Sequence, residues 1–337
     1  MDEMTRIVYN RPMKIEEIYK PKGLYFAPME GVTDSAYRMA LHRAYPEWDY
    51  YCTDFLRIPR HGQYPAKKIL EHFGERIFEN PKIKNKTGFQ VLTTAETYSE
   101  SVISCINDFG FHHLDLNLGC PSKKVNSHKG GAYLLSDPDS LIKVVSSLRK
   151  LFNGLFSVKI RVGFRDDKRF EENIRLLESL GVDAIIIHGR TRDQLYKGRA
   201  NWDYIKKAVS IAKIPIIGNG DVWTLDDIDE MFNYTGCHGI MLGRGALKTP
   251  WLATLYRQKA SANESSLLQE RCRQLEFYFD LLEQEYRKVE LPDEQILKRF
   301  KAFSRYLFED FDDPEMMRSR FLRSRSLGEF QDHLWAL

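Results

Sequence analysis

The stretch IPIIGNGDVWTLDDIDEMFNYTGCHGIMLGRGAL, residues 214–247, holds two apolar runs, IPIIGNGDV and GIMLGRGAL, each ending in a glycine-bearing loop that leads toward a helix. Short β-rich runs separated by helical patterns are the βαβ rhythm of a parallel sheet. The same rhythm recurs upstream in GLYFAP, YYCTDFLRI, TGFQVL, HHLDLNL, FSVKIRV and DAIIIHG, which brings the number of runs to eight. Eight strand–helix units predict a closed (β/α)8 barrel, the TIM barrel, because a doubly wound sheet of this length more usually shows a dinucleotide fingerprint after its first strand. None follows GLYFAP.

After Trp251 the pattern is helical alone, in stretches such as LLQERCRQLEFYFDLLEQEYRKVEL and DEQILKRFKAFSRYLFEDF, with apolar residues at helical spacing. The expected organisation is an N-terminal extension over 1–22, a barrel over 23–255 and a smaller helical domain over 256–337. Pro292 and Asp293 mark a turn and a helix start within the last.

The 337 residues, 43% hydrophobic and 29% charged, suit an ordinary globular protein, and no apolar run approaches the roughly 20 residues that span a bilayer. The first twenty residues lack a signal-peptide core, so a cytoplasmic location and no membrane partner are expected. Cys52, Cys105, Cys120, Cys237 and Cys272 are widely spaced with no CxxC pair, which argues against a metal or redox pair. A net charge of +3 implies no nucleic acid by itself; any such surface must come from distribution. A monomer is the default expectation.

In barrels of this class catalytic groups sit at the C-terminal ends of strands, and a phosphate is commonly held by the last two loops. Gly218, Gly220, Gly243 and Gly245 let the backbone approach such a group, and Arg244 supplies charge. Lys159, His188 and Gln90 converge on the same mouth. A lysine, a histidine and an amide donor beside a phosphate suit the electron-rich ring of FMN. Lys159 is equally compatible with a Schiff-base nucleophile of the aldolase kind. At the end of the fourth run stand Asn117 and Cys120. A thiol of ordinary pKa, about 8.5, can donate a proton. Lys123, Lys124 and Lys129 would bias it toward thiolate or meet a phosphate-rich partner. A purely structural cysteine is the plain alternative.

Six motifs in order, APMEGVTD, LNLGCPSKKV, VKIRVGF, HGRTRDQLYKG, GNGDV and GRGAL, resemble the tRNA-dihydrouridine synthases, from about Leu24 to the C-terminus. The resemblance implies an FMN-bearing barrel, re-reduced by NADPH, that passes hydride to C6 of a tRNA uridine while Cys120 protonates C5 and Asn117 holds the base. It implies an FMN site made by Pro28, Met29, Glu30, Gln90, Lys159, His188, Asn219, Gly220, Asp221, Gly243 and Arg244. The chain is most similar to the bacterial C subfamily, which acts on uridine 16 of the D-loop. By that likeness Arg57, Tyr196, Arg299, Lys301 and Arg320 are expected to meet tRNA. From Leu291 onward eight Lys+Arg face nine Asp+Glu, so clustering rather than net charge supports RNA contact. Ser127, His128 and Lys129 depart from the small residues frequent in relatives. Two rival expectations stand beside this one: an FMN barrel reducing or oxidising a free pyrimidine, and a tRNA-binding protein without chemistry.

Overall fold

The computed structural model describes residues 14–60, 64–258, 264–309, 311 and 313–337. The part of the expected N-terminal extension before residue 14 lies outside them. Among the described residues, nine strands form one sheet: β1 (Gly23–Phe26), β2 (Tyr51–Cys52), β3 (Leu56–Arg57), β4 (Thr87–Leu92), β5 (His113–Leu118), β6 (Leu155–Arg161), β7 (Ala184–His188), β8 (Ile216–Asn219) and β9 (Gly239–Leu242). Their spatial order is β1, β9, β8, β7, β6, β5, β4, β2, with β3 also paired to β4, and neighbouring strands are parallel. The ring closes through a parallel bridge between Tyr25 and Tyr50, where the Phe26 N–H donates to the Tyr50 carbonyl at 2.9 Å. This is the expected (β/α)8 barrel.

One predicted run is two strands. YYCTDFLRI divides into β2 and β3 because the Thr53 hydroxyl accepts the Gln90 N–H at 2.9 Å, taking a place that a backbone carbonyl would hold in a continuous ladder. Strand propensity does not register such a substitution.

Alternation along β5 and β6 sorts the side chains. Leu114, Leu116, Leu118, Phe156, Val158 and Ile160 join the apolar shell between strands and helices. The intervening His113, Asp115, Asn117, Ser157, Lys159 and Arg161 belong to the opposite face. The barrel interior holds a separate apolar cluster that includes Tyr19, Tyr25, Tyr50, Ile186, Ile217 and Met241. Gly239 is required there, since a Cβ would lie 2.3 Å from the Tyr25 ring. The end of the expected extension belongs to this plug: Tyr19, just after the short helix Ile15–Ile18, packs edge-on against Tyr25 and His113 with ring centroids 5.5 Å apart in each case.

The C-terminal segment folds into the helices Glu264–Lys288, Asp293–Leu307, Pro314–Arg323 and Leu327–Trp335. Ile296, Leu297, Phe300, Phe303 and Leu307 form the buried stripe of the second of these, at the three- and four-residue steps of an amphipathic helix. Its core is continuous with that of the barrel helices. Tyr37, on the helix Ser35–Ala44, meets Phe303 and Tyr278 with centroids 5.5 and 6.1 Å away. Beside this contact the buried Glu285 carboxylate takes Arg43, Arg76 and Lys288 as partners. No helix among the described residues is long and apolar enough to cross a membrane.

Candidate active site at the barrel mouth

The C-terminal ends of the strands surround a cavity of about 480 Å³. Its walls include Pro28, Met29, Glu30, Gln90, Asn117, Cys120, Lys159, His188, Asn219, Gly220, Asp221, Gly243, Arg244 and Gly245, so the residues that the family resemblance implies at the cofactor and catalytic site line one space. Gly218, expected beside a phosphate, is not among them: a Cβ there would lie 2.6 Å from the Met231 sulfur, so its backbone faces the apolar shell. Register explains part of this convergence. Asn117 pairs with Lys159 across β5 and β6, and Arg161, His188 and Asn219 lie side by side across β6, β7 and β8.

A polar chain descends from this layer through the barrel. Asn117 Nδ2 donates to Gln90 Oε1 at 2.9 Å, and Gln90 Nε2 donates to Asp115 Oδ2 at 2.7 Å. The other carboxylate oxygen accepts from the Ser157 hydroxyl; Ser157 Oγ lies 2.8 Å from His113 Nε2, and His113 Nδ1 bonds the Tyr50 hydroxyl. An ionised carboxylate only accepts, so it orients both branches. It fixes the Gln90 amide, and Gln90 fixes Asn117, whose Oδ1 then accepts from the N–H groups of Gly119 at 3.0 Å and Cys120 at 2.9 Å. On the other branch Ser157 donates upward, His113 presents Nε2–H to it, and Nδ1 accepts from tyrosine. Burial pushes Asp115 up to about 6 and His113 down to about 3. At neutral pH the first is anionic and the second neutral.

Lys159 Nζ donates to Asn219 Oδ1 at 3.2 Å, while Asn219 Nδ2 holds the Met241 carbonyl at 2.6 Å. Burial, reinforced by Arg161, lowers Lys159 to about 8. Burial and then the neighbouring Arg161 and Lys159 hold the His188 imidazole well below its ordinary value, and its Nδ1 is buried without a partner. Cys120 is 8% exposed, and burial pushes its thiol up. The groups next in influence on it are the Ser122 backbone, Glu30, Arg57 and Arg161, whereas Lys123, Lys124 and Lys129 are exposed. The thiolate bias considered from those lysines is therefore not the arrangement found: desolvation dominates and the thiol stays protonated.

The loops after β8 and β9 meet closely. A Cβ on Gly245 would lie 2.0 Å from the Val222 carbonyl oxygen, so only glycine permits their contact. Asp221 is shared by Arg190 at 2.5 Å and Arg244 at 3.0 Å, leaving one positive charge in excess. The Arg244 guanidinium lies 4.6 Å from the Tyr196 ring and 5.1 Å from the Trp223 ring.

Several lining residues escaped the sequence reading. Arg161 donates to the carbonyls of Gly119, Thr191 and Leu195 at 3.0, 2.9 and 2.8 Å, tying the cysteine loop to the loop that carries Tyr196. Its signal was present in the alternation of Ser157, Lys159 and Arg161 along one strand face. Trp223 lies beyond a glycine loop, and Arg305 and Tyr306 reach the cavity from the helix Asp293–Leu307. No local pattern announces a wall supplied across the fold. Among the described residues no group of three or more His, Cys, Asp or Glu is placed to hold a metal ion.

The residues expected to meet tRNA are not brought together in the same way. Tyr196 is 55% exposed at the cavity wall, and Arg57 and Arg320 are exposed. Arg299 instead donates to the Gly31 carbonyl at 2.7 Å and pairs with Asp34 at 3.2 Å, and Lys301 donates to the Ser324 carbonyl at 2.5 Å.

Residues 25–317 match the model of the dihydrouridine synthase family. The chain belongs to that family. Among similar dihydrouridine synthases are two tRNA-dihydrouridine(16) synthases. The one from Cupriavidus necator is 32% identical over 69% of this chain and 73% of its own length. The one from Haemophilus influenzae is 33% identical over 69% and 76%. The tRNA-dihydrouridine synthase B of Pasteurella multocida is 29% identical over 71% and 70%. Histamine dehydrogenase from Rhizobium sp. 4-9 superposes with a TM-score of 0.54 at 12% identity, covering 74% of this chain and 47% of that one. The family's barrel is thus found again in a longer protein, a likeness of fold alone.

Proposed function

We propose that this chain is an FMN-dependent, NADPH-driven enzyme that reduces the C5–C6 bond of a tRNA D-loop uridine, U16, to dihydrouridine, with Cys120 as the proton donor. The observation that carries the reading is a thiol kept protonated by burial, held through its own backbone N–H by Asn117, in the wall of a cavity lined by Lys159 and His188. Six motif resemblances, family membership and the names of the relatives support the substrate.

The residues fit a flavin mononucleotide. His188 Nδ1 is a buried polar atom in need of a partner. Gly220 and Gly243 line the cavity, and a Cβ on Gly220 would lie 2.8 Å from that of Ala200. Gly220, Gly243 and Arg244 would receive the phosphate, with Asp221 orienting the guanidinium, while Gln90, Lys159 and His188 would face the ring beside Pro28, Met29, Glu30 and Asn219. Bound there, the flavin supplies the hydride for C6, which no side chain can provide. The protein's own work is distinct. Asn117 uses one Nδ2 hydrogen on Gln90 and keeps the other for a carbonyl of the base, and Cys120 delivers a proton to C5. The uridine must leave its stack to arrive, as bases do in other enzymes that act on them. Arg57, Tyr196 and Arg320 are proposed to contact the tRNA directly. Arg299, bound to Gly31 and Asp34, ties the 256–337 region to the 23–255 barrel, while Lys301, bound to the Ser324 carbonyl, braces the helical region internally.

The test is nucleoside analysis of an unmodified tRNA transcript incubated with the purified chain, FMN and NADPH. Dihydrouridine at position 16 is expected, and its absence would remove the assignment. Cys120→Ala should retain flavin and lose product formation by roughly 10²–10⁴-fold. An undiminished rate would reassign the donor.

A further inference from the structure

A second pocket of about 260 Å³ lies beside the mouth, lined by Tyr133, Leu135 and Ser136, by the loop Val162–Arg169 after β6, and by Asn173. Two of its lining residues each carry a buried polar atom with no partner: Asn173 Oδ1 and Arg169 Nε. Asn173 is 2% exposed, and its Nδ2 is engaged by the Leu135 carbonyl at 2.9 Å, which leaves Oδ1 as a free acceptor. Arg169 spends Nη2 on Glu172 at 2.8 Å and keeps Nε–H as a free donor. A donor and an acceptor in one small pocket match the edge of a nucleobase, which carries both. The aromatic lining matches its face. Phe164 and Tyr133 meet edge to face at 5.6 Å, and the guanidinium groups of Arg165 and Arg192 lie 5.9 and 5.2 Å from the Phe164 ring.

The pocket is coupled to the thiol loop by one side chain. Asn126 Oδ1 accepts from the Tyr133 N–H at 2.9 Å, and Asn126 Nδ2 donates to the Cys120 carbonyl at 2.9 Å. On its other side the N–H groups of Arg192 and Asp193 donate to the carbonyls of Gly163 and Phe164, so the loop that carries Tyr196 also braces it. We infer that this pocket takes a second unstacked base of the same RNA, a nucleotide flanking the one reduced, and so helps set which residue enters the main cavity. The inference rests on the proposed reduction of tRNA. Single-stranded RNA is read in this way, by bases splayed onto aromatic and guanidinium planes and hydrogen-bonded along their edges.

The experiment measures dihydrouridine formation by the flavin-loaded enzyme on an unmodified tRNA transcript and on transcripts with one abasic nucleotide 5′ or 3′ of the target. Phe164→Ala should raise KM about tenfold with kcat unchanged, and Phe164→Tyr should restore it. One abasic transcript should show the same raised KM with the wild-type enzyme and no further rise with Phe164→Ala. A Phe164→Ala enzyme with wild-type KM, or additive losses for variant and abasic transcript, would overturn the subsite. Absence of product with the wild-type chain would instead overturn the proposed function.

Discussion

At the scale of single residues, the site depends on a carboxylate that is not itself part of the cavity wall. Asp115 sits one hydrogen bond below Gln90 and two below Asn117, and its acceptor-only chemistry removes the ambiguity of two amides in series. Its cost is desolvation. With a folded pKa of about 6 against an ordinary value of 3.8, the group is raised, so the stability tied to its neutral form is complete below about pH 4 and is lost as the pH climbs through 6. Asp115→Asn keeps an acceptor for Gln90 without the charge. Relative to the wild type, that variant should gain about 2–3 kcal/mol in unfolding free energy between pH 4 and pH 7.5, measured by urea denaturation. Parallel stability profiles would show that Asp115 does not titrate in this window. Legibility at this scale followed chemistry. Cys120, Asn117, Lys159 and His188 stand at strand ends and announce themselves, whereas Asp115 lies mid-strand, where a carboxylate carries no sign of which amide it will meet.

At the scale of elements, the strands were readable because each is a brief apolar run between turn residues, and the amphipathic periodicity of the last helices was equally plain. The divided second unit was not, since it turns on one threonine hydroxyl in place of a ladder carbonyl. Nor was the docking of the helix Glu264–Lys288, which turns on partners far away in sequence. Glu285 is completely buried while Arg43 and Arg76 remain more than a third exposed, so the carboxylate depends on cations that water also serves. Glu285→Ala should lower unfolding free energy by about 2–3 kcal/mol, less than the 3–5 typical of a fully buried pair because solvent screens the arginines. Chemical denaturation with limited proteolysis of the helical segment gives the readout. Unchanged stability would mean that aromatic packing around Tyr278 and Phe303 suffices to hold the helix.

At the scale of the whole molecule, formal charge conveyed little, because +3 over 337 residues is nearly balanced. The fold alters its meaning by consuming some cations internally, such as Arg299 on Asp34, and leaving others exposed, such as Arg320. Arg320→Ala should weaken tRNA binding and reduce the slope of log affinity against log salt by roughly 0.7–1. An identical slope would remove Arg320 from the interface. The helix Asp293–Leu307 is where fold and cavity join, since Ala302, Arg305 and Tyr306 bring its surface into the wall. A shortened barrel made for engineering would therefore lack one side of its own reaction chamber, and a chimera with a borrowed tail would inherit the donor's side. Swapping that helix between relatives redesigns the chamber without editing a strand.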